Sequence, residues 1–546
     1  MLTSGRLKAS RSGTPQDNRT QRSVHRRIGL YRDTLAEIGR KKASPRLLFW
    51  IGLAPIVLLM TLPRLILNPG LDGDAIRGMM AAEYLAQEGV YHPSRLPGNP
   101  LFEYLLAILS PVGGYILSNL VVLGFYFTCI VAFSLVVWER RDNLLLVGLF
   151  ALTPLLLVNA ATTMDYIPGL AMIIWSYVMA GKNRLVAAFV LAGLAMGFRL
   201  SNAVFLVPLG LFTIIAGQGI ALVSLYSVLG ISLGLAFYLP ILAEFGLRMI
   251  QSPQHAFHGV SYILFTGYKL LMVLGPVAAV GIAVLLVLAR RDMASHTVQA
   301  FRDRDRSYIL EISSVLVFLL MFLFHSDESE YLIPAIPFFY LLLGRWFDRR
   351  GLLITAALVV SFAFVSVELK GGESGRRHPT IRPTKGIVLK DYQERRELEA
   401  LRSWVNRFSE ADRAVIIHGY GPVLGYMNPE LVRAQHTEIS SELDLSGISE
   451  WSQIHRLPGR QVFLVSGMSR ANAELLMRSG YRLFCFSESA PSHLRRSWGY
   501  DPYELGIARL EILNDKAFYK RVRKQSVAPS GSGDFQRTEM SKEGSG

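Results

Sequence analysis

Residues 47–67 read LLFWIGLAPIVLLMTLPRLIL, an apolar run that follows a strongly basic segment. A helix of ~20 apolar residues matches the ~30 Å hydrocarbon core of a bilayer. The run begins too late in the chain and is too long for a cleaved secretory signal. It therefore predicts a first membrane-spanning helix.

Further apolar runs continue the same pattern. They lie at about residues 115–138, 144–160, 165–181, 185–198, 202–217, 220–243, 268–289, 307–325, 331–347 and 351–368. Only 18% of the residues are charged, against about 25% in ordinary soluble domains. The sequence thus predicts a polytopic α-helical membrane protein with about eleven transmembrane helices. Two cysteines exclude a disulfide scaffold or a cysteine-built zinc site.

The net charge of +15 follows the predicted topology and does not indicate nucleic-acid binding. Residues 1–46 hold twelve Lys/Arg against three acidic residues. If the chain crosses the membrane eleven times, its short basic loops lie on the same side as this tail. These loops are at 140–141, 182–184, 290–306 and 349–350. Basic loops concentrate on the cytoplasmic side. The N-terminus is therefore predicted to be cytoplasmic, and the chain after residue 368 extracytoplasmic.

Composition divides the chain into five parts. We expect a basic cytoplasmic tail (1–45), a transmembrane domain (46–368) with a long outer loop (68–114), a linker (369–386), an extracytoplasmic α/β domain (387–525) and a disordered Ser/Gly-rich tail (526–546). In the fourth part, short apolar runs at 414–417 and 462–465 alternate with helix-like segments at 391–408 and 470–479. That alternation is typical of a parallel sheet.

Two carboxylates, Asp72 and Asp74, stand just beyond the first apolar run, in Leu-Asp-Gly-Asp-Ala. A carboxylate at the membrane surface can act as a general base or a metal ligand. An aspartate before an amphipathic stretch is also what helix capping predicts.

Asp165 and Arg199 lie at the outer junctions of apolar runs. An ionisable residue at that depth is expensive and is by default a candidate functional residue. An arginine there can bind a phosphate with two parallel hydrogen bonds. Helix capping by Asp165 and snorkelling of Arg199 to the headgroups are the alternatives.

The outer segments contain further polar side chains. Arg95 lies in a Pro/Gly-rich turn, and His255 and His258 are separated by two residues in a long loop. His325 precedes the acidic residues Asp327, Glu328 and Glu330. Neither histidine spacing matches a defined metal site, so a solvated polar loop is the favoured interpretation.

Several familiar motifs are absent from the sequence. There is no Walker A loop, Gly-x-Ser-x-Gly elbow or His-Glu-x-x-His pair. Most apolar runs lack central charges, which ion-coupled carriers usually have. An enzyme at the outer leaflet is therefore favoured over a carrier.

Four segments resemble the GT-C superfamily of membrane glycosyltransferases, which use polyprenyl-phosphate sugars and include protein O-mannosyltransferases and aminoarabinose transferases. The segments are 73–85 (GDAIRGMMAAEYL), 94–104 (SRLPGNPLFEY), 191–199 (LAGLAMGFR) and 330–338 (EYLIPAIPF). The acidic site at the start of the first segment, residues 72–74, reads Asp-Gly-Asp, where the best-known members have Asp-Glu. The spacing to Leu85 favours Asp74 as the matching acid. The C-terminal domain has no matching motif.

The resemblance implies sugar transfer from a polyprenyl-phosphate donor to a lipid, glycan or protein hydroxyl on the outer face, with inversion at the anomeric carbon. Asp74 would be the general base, with Asp72 the other candidate, while Asp165 would orient the acceptor or hold the arginines. The expected substrate-binding residues are Arg77, Arg95, Arg199 and Tyr331. No cofactor is expected, although a divalent metal is an option.

Three rival functions stay open at this point. They are a metal-dependent oligosaccharyltransferase-like enzyme using Asp72, Asp74 and histidines, a transporter or flippase of a lipid-linked substrate, and a non-catalytic assembly protein of the cell envelope.

Overall fold

The computed structural model describes the chain from residue 45 onward, with gaps. The described residues are 45–138, 140, 142–246, 260–326, 328–370, 380–405, 408, 412–417, 426, 432–433, 454–456, 460–465, 467–486 and 501–510. The predictions for residues 1–44, His255, His258, Asp327 and the tail 526–546 lie outside them. The chain forms two compact units, residues 1–56 and 57–546. Of the first unit, residues 45–56 are described, and they form the beginning of a helix.

The described part of the chain is mainly helical. Its helices are α1 (Pro45–Leu65), α2 (Gly73–Glu88), α3 (Pro100–Val137), α4 (Asn143–Ala151), α5 (Pro154–Asn159), α6 (Tyr166–Gly181), α7 (Leu185–Phe198), α8 (Leu206–Ile215), α9 (Ile220–Phe245), α10 (Val260–Leu274), α11 (Pro276–Leu288), α12 (Arg290–Arg302), α13 (Arg306–Phe324), α14 (Ile336–Trp346), α15 (Arg349–Ser361), α16 (Ile387–Val405) and α17 (Arg470–Arg478). Two 3-10 helices, Leu200–Phe205 and Ser329–Ala335, precede α8 and α14.

Three described helices, α3, α9 and α13, are long and apolar enough to cross a membrane. A pair bent by 89°, Tyr262–Leu274 with Pro276–Leu288, makes a fourth candidate if it is one broken span. Other predicted spans correspond to shorter apolar helices of 10–17 residues, such as α6 and α7. The count of about eleven therefore stays a prediction.

The glycine pair Gly113–Gly114 interrupts α3. Both residues have non-helical backbone angles, and Pro111 lies just before them. The break separates residues 100–112 from 115–137, and the second part corresponds to the apolar run at 115–138. The helix formed by residues 100–112 is too short to cross a bilayer.

Close packing of α7 against α9 depends on small residues. A Cβ added at Gly193 would lie 2.4 Å from the carbonyl oxygen of Gly230, and one at Gly230 would lie 2.8 Å from that of Phe189. Glycines that allow helix backbones to approach are typical of membrane helix pairs. This contact fixes α7, whose C-terminal end carries Arg199.

A buried carboxylate organises the helix ends far from the predicted outer loops. Glu311, near the start of α13, is fully buried and accepts hydrogen bonds from Tyr177 (3.1 Å) and Arg345 Nε (2.8 Å). Arg140 also pairs with it. A buried carboxylate is tolerated when cations and hydrogen bonds surround it. The basic loop residue Arg140 thus takes part in helix packing.

The C-terminal region forms a six-stranded sheet in the order β4-β5-β6-β3-β7-β8. Its strands are β3 (Arg413–Ile417), β4 (Val432–Arg433), β5 (Ile454–Arg456), β6 (Gln461–Val465), β7 (Arg482–Phe486) and β8 (Ala508–Leu510). Strands β6, β3, β7 and β8 are parallel, whereas β4-β5-β6 are antiparallel. The expectation of a parallel sheet is therefore wrong at one edge, where β5 and β6 follow each other closely in the chain and pair without a crossover helix.

The predicted linker, residues 369–386, is largely strand in its described part. Strand β1 (Val365–Lys370) pairs antiparallel with β2 (Thr380–Lys385), and α15 ends at Ser361. The last predicted span, 351–368, is thus too long. Apolar and polar residues alternate in Val365-Ser-Val-Glu-Leu-Lys370, and this pattern favours a strand over a continued helix.

One face of the sheet packs on α2. Ile76 of α2 belongs to the same apolar cluster as Leu398 and Leu401 of α16 and Ile416 of β3. Tyr426 also donates a hydrogen bond to Glu83 of α2 at 2.6 Å. The sheet domain therefore contacts the helix that begins at the two candidate carboxylates.

We expect Gly193→Leu to destabilise the protein by at least ~1–3 kcal/mol, the usual effect of overpacking, because the obstructing atoms are backbone. The midpoint of thermal unfolding of purified protein measures the change. Gly124→Leu in α3 is the matched control, since nothing lies within 4 Å of a Cβ at Gly124. Equal midpoints for both variants would contradict the close approach of α7 and α9.

Candidate active site

The two carboxylates at the start of α2, Asp72 and Asp74, have different surroundings. Asp72 caps α2, because its Oδ1 accepts a hydrogen bond from the Asp74 backbone N–H at 2.9 Å. Asp74 lies in the first turn of α2, and its carboxylate contacts Arg77 at 3.2 Å and forms an ion pair with Arg95. The capping interpretation of this motif thus describes Asp72, while Asp74 faces two guanidiniums.

A buried glutamate holds the turn that carries Arg95. Glu103, at the start of α3, is 1% exposed and accepts a hydrogen bond from the Ser94 backbone N–H at 3.2 Å. It also accepts hydrogen bonds from the hydroxyls of Ser94 and Tyr91. Because these donors lie one and four residues before Arg95, they fix the turn from which its guanidinium reaches Asp74.

Asp165 and Arg199 form a buried ion pair. Arg199 Nη1 lies 2.9 Å from Asp165 Oδ2, and the two residues are 6% and 0% exposed. Asp165 makes no side-chain capping bond to α6, and Arg199 does not extend to the surface. Asp165 Oδ1 has no hydrogen-bond partner among the described residues. The geometry therefore differs from both the capping and the snorkelling alternatives.

Two tyrosine rings enclose the Arg199 guanidinium. Its central carbon lies 4.1 Å from the ring centroid of Tyr166 and 4.5 Å from that of Tyr331. A cation over an aromatic face within ~6 Å is attracted by the ring. The rings and Asp165 thus hold the guanidinium while leaving N–H groups that could bind an anion.

Glu328 joins the two halves of the site. It accepts a hydrogen bond from the Tyr166 hydroxyl, and its Oε1 lies 3.9 Å from Arg95 Nη1. Sequence reasoning missed this residue by placing it in a solvated acidic loop. The available signal was its position two residues before the Glu330–Phe338 motif.

The structure therefore brings the predicted residues Asp72, Asp74, Asp165, Arg95, Arg199 and Tyr331 into one cluster. Arg77 lies at its edge, paired with Asp74 and 54% exposed.

Oxygen atoms of Asp72, Asp74 and Glu328 lie within 4.8 Å of one another. A divalent cation could bind three such carboxylates. However, the Arg95 guanidinium already pairs with Asp74 and approaches Glu328, so a cation there would have to displace Arg95. The residues present thus already provide a positive charge at this position.

The pKa of Asp72 is raised to about 6. Its side chain reaches solvent on one side, but the protein around it removes part of its hydration, which disfavours the charged form. The neighbouring Glu328 carboxylate raises the pKa further, and Arg95 opposes it. Asp72 is therefore protonated below about pH 6 and ionised above it.

Comparisons with known proteins give limited matches. No protein-family model matches the chain, and no curated protein matches its sequence. Similar solved structures include the crystal structure of ArnT from Cupriavidus metallidurans in the apo state, with 14% identity, a TM-score of 0.46, and coverage of 71% of this chain and 85% of that chain. ArnT from Cupriavidus metallidurans bound to undecaprenyl phosphate has the same identity and coverage and a TM-score of 0.43.

We expect a phosphate anion to bind more tightly to this site as the pH falls from about 7.5 to about 5, because protonation of Asp72 removes a nearby negative charge. Binding of a polyprenyl phosphate to the purified protein measures this effect.

The matched control is Asp72→Asn, which keeps a good helix cap but cannot titrate. The second ionisation of the lipid phosphate itself, at about pH 6, affects both proteins, so the difference between them isolates Asp72. Identical pH profiles would contradict the raised pKa.

Proposed function

We propose that this protein is an integral membrane glycosyltransferase that moves a sugar from a polyprenyl-phosphate donor to a hydroxyl acceptor on the outer face of the membrane. One observation carries the proposal. The guanidiniums of Arg95 and Arg199 and the carboxylate of Asp74 meet in one cluster beside apolar helices. That combination suits a lipid-borne phosphate, whose tail stays in the bilayer while its head leaves water.

In the proposed reaction, the acceptor hydroxyl oxygen attacks the anomeric carbon of the donor sugar. The bond between that carbon and the phosphate oxygen breaks, and polyprenyl phosphate leaves with the bonding electrons. The acceptor proton passes to the Asp74 carboxylate as general base. Attack from the side opposite the phosphate inverts the anomeric configuration.

Arg199 supplies the fixed part of the phosphate site. Its guanidinium is held by Asp165 and the rings of Tyr166 and Tyr331, so it need not reorganise as charge develops on the leaving phosphate. Preorganised donors of this kind are effective in a water-poor site. Asp165 accordingly holds the arginine.

Arg95 supplies the adjustable part. It pairs with Asp74 in the structure, and a guanidinium beside a carboxylate lowers the proton affinity of that carboxylate. When the donor phosphate takes over Arg95, Asp74 loses this partner and becomes a stronger base. Donor binding would thus activate the base for the acceptor.

A metal-dependent transferase is the second candidate, because Asp72, Asp74 and Glu328 present oxygens within 4.8 Å of one another. Loss of transfer in the presence of a chelator, with recovery on addition of a divalent cation, would favour it. In a transporter, lipid would move without a new glycosidic bond, and a non-catalytic assembly protein would tolerate replacement of both Asp74 and Asp165.

We expect Asp74→Asn to lower turnover by ~10²–10⁴-fold, the usual contribution of a general base. In a cell that carries only this variant, polyprenyl-phosphate sugar should accumulate, and one glycan residue should be missing. Mass spectrometry of lipid-linked sugars and surface glycans measures both.

Asp72→Asn is the internal control for that experiment, and its effect should be milder because asparagine preserves the cap. If only Asp72→Asn lost activity, the general base would be Asp72 and not Asp74. If both variants retained activity, the carboxylate mechanism would be wrong and the transporter would become the leading candidate.

The proposed topology has a cytoplasmic N-terminus and an extracytoplasmic region 387–525. We expect reporter fusions after residue 380 to be active only with extracytoplasmic reporters such as alkaline phosphatase, because basic loops are retained in the cytoplasm. A silent phosphatase together with an active cytoplasmic reporter would refute the outer-face reaction.

A further inference from the structure

A second group of buried charges lies where α16 crosses the outer loops. Arg64 and Arg395 are 1% and 0% exposed, and both contact Asp391, Arg64 at 3.0 Å and Arg395 at 3.1 Å. None of the three contacts the carboxylates or guanidiniums of the candidate active site in the described residues. One carboxylate cannot neutralise two guanidiniums, so the remaining N–H groups need other acceptors.

Those acceptors belong to the loop after α1 and to α5 with the loop that follows it, which are distant in sequence. Arg395 Nη1 donates to the carbonyl oxygens of Asn68 (3.2 Å) and Ala161 (3.0 Å), and its Nη2 donates to Thr162 Oγ1 at 2.6 Å. Arg64 donates to the carbonyl oxygen of Leu157 at 2.8 Å.

Several of these groups follow the C-terminal ends of α1 and α5. Carbonyls at helix C-termini lack intrahelical partners and carry partial negative charge. They are therefore suitable acceptors for a guanidinium.

The same two loops also bind each other directly. The backbone N–H of Thr163 donates to the carbonyl of Pro69 at 2.7 Å. The side chain of Asn119 bridges them, donating to Asn68 O at 3.0 Å and accepting from the Thr163 hydroxyl at 2.7 Å. A Cβ at Gly70 would lie 2.5 Å from the Thr162 methyl group, so no larger residue fits between the loops.

Each loop leads within a few residues to a group of the candidate active site. Residues 68–71 precede Asp72 and Asp74, and residues 160–164 precede Asp165. The relative position of the two loops therefore sets how far the proposed base lies from the proposed phosphate site.

We infer that Arg395 is a positioning residue, which through Asn68, Ala161 and Thr162 fixes the loop of Asp74 relative to the loop of Asp165. This inference rests on the proposed function for its effect on turnover, although not for its effect on the loops. It makes α16, which belongs to the C-terminal region, a functional part of the transferase.

The test compares Arg395→Ala with Arg396→Ala, a neighbour on the exposed face of α16. Hydrogen exchange of the purified full-length protein reports on the loops without requiring activity. In Arg395→Ala, amides of residues 68–74 and 160–166 should exchange about tenfold faster, the factor that loss of a buried charge-assisted hydrogen bond gives to a local opening. In Arg396→Ala they should exchange as in the wild type.

Binding and turnover give the second readout. Arg199 is held by Asp165, Tyr166 and Tyr331, so its position should not depend on Arg395. The Kd of Arg395→Ala for undecaprenyl phosphate, used as the probe, should therefore stay within about threefold of the wild-type Kd, which is less than a tenfold change in affinity. Turnover per folded molecule should fall about 10²-fold, because a small misplacement of reacting groups is that costly. Arg395→Lys keeps the charge beside Asp391 but not the fork of donors and should be intermediate.

A merely structural role would lower the unfolding midpoint and speed exchange throughout the chain, with binding and turnover falling together. That result, or unchanged exchange of the two loops in Arg395→Ala, would overturn the inference. Faster loop exchange in a protein whose wild type transfers no sugar would instead refute the proposed function alone.

If Arg395→Ala does not fold, Thr162→Val provides the test. It removes one acceptor of Arg395 at nearly constant volume. We expect faster exchange in residues 160–166 and turnover reduced severalfold, and wild-type values for both would overturn the inference.

Discussion

The ion pair of Arg199 with Asp165 is the constraint on which the rest of the site depends. A guanidinium that is 6% exposed at the end of an apolar helix has lost most of its hydration, and it must regain that energy from the protein. Asp165 provides the opposite charge, and Tyr166 and Tyr331 provide aromatic faces. These partners come from α6 and from the segment before α14, so burying one charge fixes the positions of three chain segments.

The same requirement explains why the charged groups near the two ends of α13 form separate clusters. Near its start, helix α13 carries Glu311, which pairs with Arg140 and Arg345. The helix ends shortly before Glu328, which lies near Arg95. Phe324 lies 13 residues after Glu311, which is about 20 Å at ~1.5 Å per residue, and few of the intervening side chains are polar. An apolar middle with charged ends is the arrangement that a bilayer selects, because charges at its centre are expensive. The charged groups that contact α13 and the segment after it are thus confined to the ends.

Much of this could be predicted from the sequence, since polar residues at the ends of apolar runs are conspicuous. Asp74, Asp165 and Arg199 are candidates for that reason and Arg95 because of its Pro/Gly-rich turn, and the structure places all four in one cluster. Their partners could not be predicted, because pairing over 34 residues, as for Asp165 with Arg199, or 162 residues, as for Tyr166 with Glu328, depends on tertiary packing.

Arg395 shows a different limit. Asp391 and Arg395 interrupt an otherwise apolar stripe of α16 that includes Val388, Leu398 and Val405. That pattern signals a buried ion pair, but it cannot show that the partners are loop carbonyls some 230–330 residues earlier in the chain. The antiparallel edge of the sheet was missed because β4 and β5 have only two and three residues, too short for a periodic pattern.

The Arg95–Asp74 pair finally bears on the order of events in the proposed reaction. A base that is already paired with a guanidinium is a poor proton acceptor, so Asp74 should be weakest when no donor is present. Binding of the donor phosphate offers Arg95 a partner of higher charge and better bidentate geometry, and the pair with Asp74 opens as a consequence. In the proposed reaction, activation of water or acceptor before the donor arrives would thereby be suppressed. Under the proposed function, the guanidinium that binds the leaving group would also restrain the base, and one side chain would couple the two halves of the transfer.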